Sequence, residues 1–92
     1  MVEHHVVTPI IHLNGDRKEV LLANLERAYL AVMDAQETLR QCAPNGRNYF
    51  PEPGRMQNAE AQHRTRQLAL QAVMDSLAAE AQRIQHENPE RR

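Results

Sequence analysis

Aromatic side chains are almost missing from this sequence: Tyr29, Tyr49 and Phe50 are the only ones, 3% of 92 residues, and there is no Trp. A thick core built on large rings is therefore excluded. The single cysteine, Cys42, excludes an intramolecular disulfide and makes a reducing compartment the expectation. No apolar run is long enough to span a bilayer, and Met1-Val2-Glu3-His4-His5 lacks the basic-then-apolar layout of a secretion signal. A cytoplasmic protein with no membrane partner is expected. The formal net charge is −1, so no global field draws the chain to nucleic acid. Nucleophile elbows, Gly-rich phosphate loops and His-Glu-x-x-His are all lacking. His63 and Glu60, three apart, read as an ordinary surface pair, and His4-His5 has no companion ligands at metal spacing. Neither an enzyme, a cofactor nor a metal is expected.

What remains is Ala, Leu, Val and Met in helical rhythm. The fold class expected is all-α: an antiparallel two-helix hairpin with an extended N-terminal arm, assembling as a homo-oligomeric helical bundle. Residues 1–15 form the arm and turn. Within them Pro9 removes a ladder donor from an otherwise strand-like stretch, and Ile10, Ile11 and Leu13 need a surface to cover. The hairpin spans 16–87, with a helix at 16–43, a loop at 44–55 and a helix at 56–87; residues 88–92 are a frayed tail. Asp16 and Glu19 have the spacing of a capping box. Leu21, Leu25, Ala28, Val32, Ala35, Leu39 and Cys42 then alternate four and three, the repeat of a packed helix pair, with Leu22 and Tyr29 widening the stripe. Pro44-Asn45-Gly46 ends this helix, Asn-Gly accepting left-handed backbone. In the second helix Leu70, Val73, Met74, Leu77, Ala81 and Ile84 make a seam. Leu68, Ala69, Ala72, Ser76 and Ala79 make a second face, to be covered by the arm or by another subunit.

One stretch breaks the pattern. Carried backwards, the second seam meets Arg66 or Gln67, His63, Ala59 and Met56, and residues 60–67 are polar almost all round. Charge also sorts by position. Residues 40–66 hold five basic groups (Arg40, Arg47, Arg55, Arg64, Arg66) against two acidic ones (Glu52, Glu60), a net +3. The rest holds six against ten, a net −4. The bend end is thus electropositive and all its cations are Arg, whose planar fork suits phosphate or carboxylate. Arg47, His63, Arg64 and Arg66 are the candidate anion-binding residues, Tyr49 or Phe50 the stacking partner, and Asn45-Gly46 a backbone anion nest. The plainer alternative has Tyr49 and Phe50 plugging the end of the hairpin core and the arginines solvated.

The string His12-Leu13-Asn14-Gly15, a helix, then Ala43-Pro44-Asn45-Gly46-Arg47-Asn48-Tyr49-Phe50 and a second helix resembles small helical-hairpin proteins encoded by bacteriophages and prophages. That likeness spans most of the chain and brings no activity with it. A fainter one joins Pro44, Asn45, Gly46 and Arg47 to the bend in the hairpin domain of phage anti-defence sponges, oligomers that sequester cyclic nucleotide signals. The stretch 48–54 and the long arm depart from that pattern. The resemblance implies an anti-defence protein in the host cytoplasm that captures an anionic nucleotide; joined to the charge reading above, it makes Asn45, Arg47, Tyr49, Phe50, His63, Arg64 and Arg66 the expected ligand-binding residues. The alternative is an accessory module that docks on a host protein. Nucleic acid is a weaker partner, since so short a basic cluster binds only at low salt.

Overall fold

The computed structural model describes residues 6–11, 15 and 17–87, and among these every regular element is helical. Helix α1 runs Lys18–Arg40 and helix α2 runs Pro53–Gln85, joined by a loop containing one 3-10 turn at Gly46–Asn48. Lys18, at the start of α1, donates from Nζ to the carbonyls of Gln85 (2.8 Å) and Glu87 (2.9 Å) at the end of α2. Further along, Gln36 Nε2 donates to Gln71 Oε1 at 3.2 Å. Partner numbers fall as α1 advances, so the helices are antiparallel. The expected hairpin is present.

Its boundaries differ from the sequence reading for local reasons. The residue that caps α1 is Arg17, which makes no side-chain cap bond. The Asp16 cap, like His4, His5, Leu13, Asn14 and the 88–92 tail, lies outside the described residues. At its other end α1 stops at Arg40 rather than residue 43. Cys42 and Ala43 bond back to Leu39 and Arg40 in tighter i→i−3 turns, because Pro44 disfavours helix in the residue before it. Helix α2 starts three residues earlier than expected, since Pro53 occupies its first turn, where a missing N–H costs nothing. No described residue has a positive φ, so Asn45-Gly46 does not use the left-handed backbone anticipated for it.

The seam is rotated as well. Leu22, Leu25, Tyr29, Val32, Gln36 and Leu39 form the half-buried stripe of α1, while Ala28, Ala35 and Cys42 stay exposed. On α2 the stripe is Met56, Ala59, His63, Leu70, Met74, Leu77, Ala81 and Ile84, and Val73 is left outside it. Large side chains decide this phase: Tyr29, which is half-buried, has far more area to remove from water than Ala28, which stays exposed.

Segment 6–11 has no regular structure, yet it is not idle. Ile11 is buried, and Thr8 shares a hollow with Gln82 and Arg83 of α2 and with His86 and Glu87 just beyond it. Of the second face foreseen for α2, Ser76 and Ala79 are half-buried, whereas Leu68, Ala69 and Ala72 remain open. Ile11, Met74 and Ile84 are the buried apolar residues of the whole described chain, and Ile84 alone is completely enclosed. The result is a rod, 69 × 24 × 16 Å with a radius of gyration of 19.0 Å, against roughly 12 Å for a compact domain of this length.

Candidate binding site

The bend positions most of the residues singled out above. Asn45 is extended, and its side-chain Oδ1 accepts the Arg47 N–H at 3.0 Å, capping the 3-10 turn. The next two N–H groups are also consumed: Asn48 donates to the Asn45 carbonyl (2.9 Å) and Tyr49 to the Gly46 carbonyl (3.1 Å). An anion nest needs those donors free and convergent. Here they close the turn on itself, so the nest anticipated at Asn45-Gly46 does not form.

Downstream, the peptide between Phe50 and Pro51 is cis, and Glu52 N–H bonds to the Tyr49 carbonyl at 2.8 Å. Tyr49 is half-buried, but Phe50 is 85% exposed. Together with Gly46, Pro51, Met56 and Gln57 they line a hollow of ≈ 360 Å³ that contains no charged side chain. Plugging of the core thus describes Tyr49 and not Phe50.

The arginines do not gather round that hollow. Arg40 pairs with Glu37 and Arg55 with Glu52 (3.0 Å), each one turn away on its own segment. Arg64 and Arg66 are two residues apart on one helix, which rotates their side chains about 200° from each other. Arg64 lies over a separate hollow with Gln57, Glu60, Ala61, Thr65 and Leu68, where the Glu60 carboxylate opposes an anion. Arg66 projects from the flank of α2, and Arg47 is exposed at the turn. His63 faces inward instead. It is half-buried, and its Nδ1 is shut off from solvent with no hydrogen-bond partner. The structure therefore brings Tyr49 and Phe50 together, leaves Arg47, Arg64 and Arg66 out of the hollow they line, and turns His63 inward.

Two features of the site were missed in the sequence. Met56 and Pro51 complete an apolar platform beside Phe50, and the helical start at Pro53 is what sets Met56 there. A Pro-x-Pro pair flanking a helix start was the available signal. Among the described residues no group of His, Cys, Asp and Glu has metal-binding geometry, and no helix is long and apolar enough to cross a membrane. Comparison with family models, curated proteins and solved structures returns no match.

Proposed function

We propose that the chain is a non-catalytic, phage-type accessory protein that docks on another protein through the tip of its hairpin. The observation that carries this reading is Phe50, an almost fully exposed aromatic ring that lines an uncharged hollow together with Met56 and Pro51. Interface anchors are typically aromatic or Arg side chains entering or framing an apolar pocket, with charged groups at the rim. Arg47, exposed three residues before Phe50 in the same loop, is the basic group available to such a rim and would favour a partner with an acidic border around an apolar centre. The proposal includes a homo-oligomer with segment 1–15 as an arm, and action in the host cytoplasm.

Capture of a small anionic nucleotide has less support, because its proposed ligands diverge. The two readings separate in one experiment. A photo-crosslinking amino acid at Phe50, expressed in a bacterial host, should trap a protein partner whose recovery with the unlabelled chain is lost in Phe50→Ala and retained in Arg64→Ala. Absence of any Phe50-dependent partner overturns docking at the tip. A thermal shift with cyclic di- or trinucleotides or ADP-ribose derivatives, abolished by Arg47→Ala with Arg66→Ala, would restore capture in its place.

A further inference from the structure

Among the described residues, the flank of α1 beside its seam is left largely exposed. Leu21, Asn24, Ala28, Ala31, Ala35, Thr38 and, past the helix end, Cys42 follow the same three-four alternation as the seam and include no charged residue. Leu21 is half-buried and the rest are exposed. Glu26 and Ala78 share the groove on the opposite side of the helix pair. The flanks turned away from that groove therefore open together, and Ala69 and Val73 of α2 join Ala28 and Ala35 on one broad face.

Two quantities say what covers it. A compact monomer of 10.6 kDa exposes roughly 5,500 Å², and this chain exposes 7571 Å². The difference, about 2,000 Å², is spread over the whole elongated chain, and it leaves room for the ~800 Å² that each partner contributes to an ordinary stable dimer. Charge gives the orientation. The bend half, 40–66, carries net +3. The open half, 17–39 with 67–87, has four basic groups (Arg17, Lys18, Arg27, Arg83) against seven acidic ones (Glu19, Glu26, Asp34, Glu37, Asp75, Glu80, Glu87), a net −3. Side by side in the same direction, two rods oppose like charges. Reversed, each positive half lies along a negative one.

We infer that a second copy of this chain packs on that face in antiparallel order, as a two-fold four-helix bundle with α1 crossing α1 of the partner. Full overlap of the rods puts the two-fold axis at their midpoint, where α2 presents Ala69 and α1 presents Ala35. Ala35 then meets its own counterpart, and Ala28 meets the partner's Cys42. Small residues at the crossing let the backbones approach closely. The two copies of Cys42 sit 14 residues apart along the axis, about 21 Å at the helical rise. That is well beyond the ~7 Å Cα separation a disulfide can bridge.

The test uses light scattering and non-reducing gels on the full chain. The wild type should have the mass of two chains and form no Cys42 disulfide within that dimer on mild oxidation. Ala35→Cys with Cys42→Ser should convert to a covalent dimer nearly completely. Ala35→Glu should abolish the dimer, whereas Met33→Glu, exposed on the other flank, should keep it. Raising the salt should weaken association several-fold by screening the opposed charge halves. A monomeric wild type, ready linkage through Cys42, or an Ala35→Cys variant that fails to link while remaining dimeric overturns the inference. None of these outcomes touches the Phe50 docking test, which reads a different surface.

Discussion

Replacing His63 with Leu should make the protein more stable. His63 occupies a seam position of α2 at the point where the apolar stripe lapses, with six residues between it and Leu70. Its Nδ1 is enclosed without a hydrogen-bond partner, and such a group costs about 1–3 kcal/mol. Leu removes that cost, adds a few tenths of a kcal/mol in helix propensity, and extends burial along the stripe. The imidazole is only half-buried, so the lower part of each range applies, and the net gain is about 1.5–2 kcal/mol. For a chain of this size that corresponds to a rise in Tm on the order of 10 °C. The assay is urea unfolding followed by circular dichroism, at one fixed protein concentration because association contributes to apparent stability. An unchanged or lowered midpoint would refute the reasoning and mean that His63 makes a favourable bond in solution.

Other substitutions probe the open end of the rod and the exposed ring at its tip. Ile84→Ala, at the one fully enclosed side chain, should cost about 2–4 kcal/mol in the same unfolding assay. Thr8→Val removes a hydroxyl whose Oγ1 is enclosed and unbonded; it should gain about 1 kcal/mol, and a loss would argue against packing of segment 6–11 on α2. Lys18→Met deletes the two bonds that satisfy carbonyls at the end of α2. It should cost about 1 kcal/mol and speed amide exchange in residues 82–87. Phe50→Ala should leave the unfolding midpoint within about 0.5 kcal/mol of wild type, since the ring is exposed, while eliminating docking.

The helix pair and its reversal were legible because Leu25, Val32 and Leu39 serve either possible phase of the α1 stripe. The phase itself was not. Apolar periodicity gives Ala28 and Ala35 the same standing as Tyr29 and Gln36, although an alanine buries little area. Tyr29 combines a large ring with a polar tip, and Gln36 finds Gln71 across the pair. Packing area and one amide bond rotated the helix by a fraction of a turn. At the bend, charge counted along the sequence suggested a cluster. The divergence of Arg64 and Arg66 was already implicit in their spacing, once α2 is known to be helical through them. The closed turn at Asn45 was less accessible, because Asn-Gly serves equally well in a left-handed turn and as an Asx cap on a 3-10 turn. Phe50 was singled out for stacking, and its exposure shifts the argument from a gripped base to an anchored protein.

Helix α2 is ten residues longer than α1, and its first turns have no helix beside them. Between Met56 and His63 only Met56, Ala59 and His63 are partly covered, and the side chains between them are exposed. Such a region belongs to the low-stability end of a fold and opens independently of the rest. Ordering at the tip and engagement of Phe50 are then thermodynamically linked: a partner that grips the ring also winds tight the first turns of α2. Calorimetry of that event would register a larger negative heat-capacity change than the contact area alone supplies, and slowed amide exchange would spread from residue 50 into the helix behind it.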